Sequence, residues 1–185
     1  DFTGGDGGEL SGYPAKMQAL HSSSALGVNI FQYWDSIQDV SEIAHYCGFC
    51  RRTTEISREI SVEVKHSIDD RFQYGPNIDV VIKNDPGVKY EVFAVECKFT
   101  EAYGGREHAG LKEKYLELEI WENIPGLNDL AKEISPNDTR FEYLHAAQLI
   151  KHILGLSRFH GKKGFRLLYL WYDTLGREGG QHREE

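Results

Sequence analysis

The sequence predicts an α/β domain: a mixed central sheet with an antiparallel meander, flanked by helices. Three observations carry this. From Ile60 the apolar period is two residues, the signature of a strand with one apolar face. Two more apolar segments, 77–83 and 89–100, are separated by Asn84-Asp85-Pro86-Gly87, which is strong turn chemistry. Helical spacing precedes these strands and returns between 139 and 159, ahead of a last apolar segment at 165–173. Helix, helix, three strands, helices and a strand make a meander followed by a crossover helix and a further strand.

Taken in order, residues 1–19 are rich in Gly and polar residues and read as a flexible arm. The single folded domain is expected over 20–175. A first helix takes its cap from Ser22 to Ser24, and Leu26, Ile30, Tyr33, Trp34 and Ile37 recur at helical spacing. A second fits 39–48, with Asp39 as cap, Glu42 completing a capping box and Gly48 ending it. Ile60, Val62 and Val64 alternate with Ser61, Glu63 and Lys65 in the first strand. Residues 111–122 look helical and solvated, and the following Ile124-Pro125-Gly126 reads as a break. Ser135-Pro136-Asn137-Asp138 reads as a helix start, so a long helix is expected from about Thr139 to Phe159. Residues 165–173 read as a strand buried on both faces, and 176–185 as a frayed tail.

At 185 residues the chain is long enough for one substantial core. No apolar run approaches a membrane span. Cys47, Cys50 and Cys97 are too few for a disulfide scaffold, which points to a reducing, cytoplasmic setting. Cys47 and Cys50 with His45 offer only three zinc ligands, so two partly buried thiols near a helix end are expected instead. The net charge of −8 argues against coating nucleic acid by bulk charge. The charge is segregated, however: residues 140–166 hold six Lys or Arg and one acid, and residues 91–133 hold ten acids and five bases.

The chemistry concentrates in the hairpin. Side chains at i and i+2 on a strand share a face about 6.6 Å apart, so Glu96 and Lys98 share one while Cys97 points the other way with Val95 and Phe93. A turn pivoting between Pro86 and Gly87 sets Asp79 opposite Ala94; one pivoting a residue later sets it opposite Glu96. Both registers put Asp79, Glu96 and Lys98 on one face. Two carboxylates that close repel unless neutralised. Lys98 does part of this, and a divalent cation would do more: Mg²⁺ takes one or two protein carboxylates and fills its remaining positions with water and phosphate oxygens. The backbone carbonyl of Cys97 is placed to add a ligand. Such a set supports phosphodiester hydrolysis by metal-activated water.

Pro76-Asn77-Ile78-Asp79, the hairpin and Glu96-Cys97-Lys98 resemble the PD-(D/E)xK nuclease superfamily, whose members have the restriction-endonuclease-like fold; 21–34 and 95–103 resemble a bacterial branch of it. The resemblance spans about residues 20–173. It implies a metal-dependent endonuclease acting on nucleic acid, DNA in the first instance, with Asp79 and Glu96 as ligands to Mg²⁺ or Mn²⁺ and Lys98 as the catalytic lysine. An upstream acid often completes such sites; Glu63 is favoured over Glu42 and Glu55. Gln148-Leu149-Ile150-Lys151-His152 partly matches a Gln-x-x-x-Tyr motif, which makes Gln148 a candidate at the site. Lys151, His152, Arg158, Lys162 and Lys163 are the candidate nucleic-acid contacts. A homodimer is compatible with this reading, and a non-catalytic nucleic-acid-binding module is the alternative.

Overall fold

A computed structural model describes Gln18, residues 22–104 and residues 108–185. The arm expected over 1–19 thus lies, apart from Gln18, outside the described residues. The fold is α/β, with a mixed four-stranded sheet flanked by helices. Its strands are β1 (Ser57–Lys65), β2 (Asn77–Asn84), β3 (Val92–Lys98) and β6 (Phe165–Trp171), in the order β1-β2-β3-β6. The first three are antiparallel and β6 runs parallel to β3.

Helices α1 (Ser23–Ser36) and α2 (Val40–Tyr46) cover one sheet face. Phe31, Val40 and Ala44 pack there on Val80, Ile82, Phe93, Val95 and Cys97. Ser22 caps α1 by accepting the Ala25 N–H. The residues whose spacing marks α1 nonetheless face largely outward, while Ala25, Gly27, Val28 and Phe31 are buried. A Cβ on Gly27 would lie 3.2 Å from Cys97 Sγ, so the helix sits too close to the sheet for larger residues beneath it. Asp39 precedes α2 without a side-chain cap, and Gly48 (φ 73°) follows it.

The other face carries α5 (Ala146–His160), whose Leu156 packs with Ile78, Val81, Val92 and Ala94. Ile150 and Leu154 of α5 meet an outer layer built from Leu111, Leu118, Trp121, Ala131 and Ile134. That layer includes α3 (Glu113–Leu116) and α4 (Pro125–Glu133). The 111–122 segment is therefore not a solvated helix: Trp121 is buried, and Pro125 starts α4 at its first helical turn instead of breaking a helix. Asn137–Asp138 form a short strand, β5, paired with β4 (His108–Ala109). The helix expected from Thr139 begins seven residues later because Asp138 Oδ1 accepts the Arg140 and Phe141 N–H groups in a turn of its own.

Two further expectations change. β6 is an edge strand, paired only with β3 among the described strands, and none of its residues is fully buried. Residues 177–184 do not fray but form α6 (Arg177–Glu184). His182 is buried there, with the Tyr103 and Tyr169 hydroxyls 3.1 and 3.2 Å from its two ring nitrogens and Trp171 alongside. The Glu185 carboxylate accepts N–H groups of Glu142, Tyr143 and Leu144. Among the described residues, no helix is long and apolar enough to cross a membrane.

Candidate active site

The β2–β3 register decides the geometry of the hairpin charges. Val80 pairs with Val95 and Lys83 with Val92, which places Asp79 across from Glu96, as the later of the two turn pivots requires. Gly87 sits in that turn at φ 82°. Alternation then puts Asp79, Glu96 and Lys98 on the face that α5 covers, and Cys97 on the face of α1.

Glu96 and Lys98 are buried, and Asp79 is half-buried. Glu96 is 1% exposed and Lys98 8%. Lys98 Nζ donates to Glu96 Oε1 at 2.7 Å. The other carboxylate oxygen, Oε2, stands 2.8 Å from His152 Nε2, at ion-pair distance but without the alignment of a linear hydrogen bond. Burial pushes the Glu96 carboxyl up, yet His152 and Lys98 outweigh it and hold it below the usual range. Burial works to lower Lys98, and Glu96 more than reverses it, so Lys98 stays firmly protonated.

Asp79 has the opposite balance. Its Oδ2 accepts the Cys97 N–H at 2.7 Å. Burial first, then the Glu96 charge, push its carboxyl up to about 8, against the smaller pull of that N–H and of Lys98. The site thus pairs one ionised carboxylate with one that resists ionising. Glu63 comes to the same place: the pairs Val62–Val80 and Val64–Ile78 bracket it and Asp79, and it adds to the charge opposing Asp79. Glu63 accepts from Asn77 Nδ2 at 2.6 Å and holds φ 52°, a strained conformation for a residue other than glycine.

Beside this centre opens a cleft of about 440 Å³. Gly75, Pro76 and Asn77 line one side; His145, Gln148, Lys151 and His152 of α5 and its entry line another. His108 stacks edge-on against His145 at 4.1 Å. Burial, then Lys98 and His108, push His145 down to about 4, so it is neutral at physiological pH. Burial also lowers Lys151, which keeps it a less tightly held cation than a surface lysine.

The structure brings together Asp79, Glu96, Lys98, Glu63, Gln148, Lys151 and His152, and separates the rest. His152, expected to contact nucleic acid, is 1% exposed and occupied with Glu96. Arg158 pairs with Asp70 at 2.7 Å. Lys162 and Lys163 follow the far end of α5 and precede Phe165, which pairs with Val92, whereas Lys98 pairs with Trp171. Glu96 lies four strand residues beyond Val92, about 13 Å along the sheet from the end where those lysines sit. Arg140 and Arg166 are likewise engaged, with Glu133 and with the Phe49 carbonyl. The basic run is thus spread along α5 and is not a single patch. The Cys47 thiol is pushed up to about 11 by burial and Cys50, so it is protonated at neutral pH. His108 carried no sequence signal beyond residue type, whereas His145 falls at i, i+3 and i+7 with Gln148 and His152, a polar stripe that lines the cleft here.

Among the described residues, no three His, Cys, Asp or Glu side chains form a ready-made metal cage. Two close carboxylates, one opposed by the other's charge, form the incomplete donor set that suits a cation retaining water and phosphate ligands. Neither curated proteins nor solved structures give a match. A family model described as a restriction endonuclease associating with ARP matches residues 1–174. With that match over nearly the whole chain, and a fold compatible with it, the chain belongs to the restriction endonuclease family that associates with ARP.

Proposed function

We propose that the protein is a divalent-metal-dependent nuclease of the PD-(D/E)xK type that hydrolyses phosphodiester bonds in DNA. One observation carries this: Asp79 and Glu96 face each other across two central strands, with Lys98 on the same enclosed face, beside an open cleft. A structural ion pair would need only Glu96 and Lys98. Asp79, held up to about 8 by burial and the neighbouring carboxylate, weakens the fold unless a cation joins it.

Asp79 and Glu96 would hold Mg²⁺ or Mn²⁺, with the Cys97 carbonyl and Glu63 as further candidate ligands. The cation supplies an acidified water and charge stabilisation at phosphorus. Lys98 keeps its proton and offers positive charge to the phosphate oxygens as they gain negative charge. His152 orients the Glu96 carboxylate from behind. Gln148 and Lys151 line the path along which a phosphate backbone reaches the centre. The membership in an endonuclease family supports the same reading.

The test is cleavage of plasmid and single-stranded DNA, with and without Mg²⁺ or Mn²⁺, by the wild type, Lys98→Ala and Asp79→Asn. Metal-dependent cleavage that falls by about 10²-fold or more in both variants is expected. Cleavage unchanged in both variants refutes the site. DNA binding without cleavage by the wild type would support a binding module instead.

A further inference from the structure

We propose that the β4–β5 ribbon reads an unpaired nucleobase bearing an exocyclic amino group, next to the phosphate that enters the carboxylate cleft; this rests on the nuclease reading above. A second cleft, of about 840 Å³, adjoins the first, and His108 and Ala109 line both. Their walls differ in charge. The first holds Lys151 and, among the described residues, no acid. The second holds Asp138, Glu142 and Glu178 against Arg140, which is already paired with Glu133. A phosphate is therefore drawn to the first cleft and repelled from the second. An uncharged ring is not repelled. Tyr103, Phe141 and Tyr143 line the second cleft. The Tyr103 ring lies 5.4 Å from that of Tyr143, and its hydroxyl is tied to the Tyr172 carbonyl. Aromatic faces of this kind hold bases by stacking.

Two buried polar atoms of the ribbon select the base edge. His108 and Asp138 pair directly across β4 and β5, so their side chains share a face. Asp138 is 8% exposed, and its Oδ1 accepts the Arg140 and Phe141 N–H groups. Its Oδ2 has no hydrogen-bond partner among the described residues, and neither has the buried His108 Nδ1. Buried polar atoms left this way are costly until a ligand satisfies them. A carboxylate oxygen accepts, so the ligand must donate to Asp138. His108, in the tautomer protonated at Nδ1, donates to an acceptor beside that donor. An amino group beside an unprotonated ring nitrogen is the pairing edge of cytosine and adenine; thymine carries a carbonyl oxygen in the amino position. Base pairing covers that edge in a duplex, so the site takes a single strand or a base turned out of its duplex.

The test is binding of the full chain to end-labelled oligo-dC and oligo-dT without divalent metal, read by fluorescence anisotropy. Oligo-dC is expected to bind about 10-fold more tightly. Asp138→Asn keeps Oδ1 for the Arg140 and Phe141 N–H groups but puts a donor where Oδ2 stands. It is expected to abolish that preference or turn it toward oligo-dT, with circular dichroism confirming the fold. An oligomer of the corresponding pyrimidinone, which is cytosine without its amino group, alters no protein group and is expected to bind the wild type as weakly as oligo-dT. Equal wild-type binding of oligo-dC and oligo-dT, a preference that survives Asp138→Asn, or undiminished binding of the pyrimidinone oligomer overturns the proposal. With the preference in place, competition by a duplex of the same sequence distinguishes a base turned out of a duplex from one in a single strand. Binding without metal reads no cleavage, so base reading and the nuclease reading fail distinguishably.

Discussion

Replacing Asp79 by Asn should stabilise the metal-free protein, and by an amount that depends on pH. In the folded chain the Asp79 carboxyl is raised from an ordinary 3.8 to about 8. Between those values the unfolded chain releases the proton that the folded chain retains, so folding becomes steadily less favourable as pH rises. The loss is about 1.4 kcal/mol per pH unit, reaching about 4 kcal/mol at pH 7, and it levels off above pH 8. Asparagine has no proton to lose. Its Oδ1 can still accept the Cys97 N–H, and its amide can donate toward Glu96 where aspartate repels it. The advantage of Asp79→Asn should therefore be near zero at pH 4, grow through neutral pH, and appear as a melting temperature higher by roughly 10 °C at pH 7. Chemical denaturation of both proteins from pH 4 to 8.5 measures it. Adding Mn²⁺ should raise the stability of the wild type more than that of the variant, because the cation replaces the missing counter-charge only where two carboxylates meet. A stability difference that is flat or falls with pH would refute the opposed-carboxylate account.

Two further outcomes follow from the packing around α5. His152→Leu leaves a Glu96 oxygen buried without its partner and should cost roughly 2–4 kcal/mol in urea denaturation, while His152→Gln, which can still donate, should recover about half or more. Equal losses in the two variants would show that the ring's volume matters and its contact with Glu96 does not. Gly155→Ala should destabilise by roughly 1–2 kcal/mol although alanine is the better helix former. The reason is that its Cβ would lie 2.9 Å from both the Cβ and the carbonyl oxygen of His66. A stabilised Gly155→Ala would mean that α5 can move away from the β1 end at no cost.

Much of the charged hairpin was legible before folding was considered. The two-residue period of the strands sets which side chains share a face, and the turn chemistry at Asn84 to Gly87 limits the register to two choices that agree on that face. The apolar spacing of residues 26–37 identified a helix correctly but not the face it buries, because spacing does not reveal how closely a helix approaches a sheet. That distance is set at Gly27 and Cys97, and it forces the small residues inward. Ser135-Pro136-Asn137-Asp138 has the chemistry of a helix start, yet the same Asp side chain can close a turn on Arg140 and Phe141, and pairing with His108 favours the turn. The solvated reading of 111–122 failed at Trp121 because its burial partners lie on α4 and α5.

By itself, then, the sequence determined the strand order through the meander and the common face of Asp79, Glu96 and Lys98, since these depend on residues near in sequence and on the fixed alternation of a strand. Only the tertiary structure decided that Asp79 opposes Glu96 directly, that His152 spends its imidazole on Glu96 and not on a ligand, and that Arg158, Lys162 and Lys163 lie away from the carboxylates. Those outcomes depend on where α5 crosses the sheet, and no local pattern sets the distance between a helix residue and a strand residue more than 50 positions earlier in the chain.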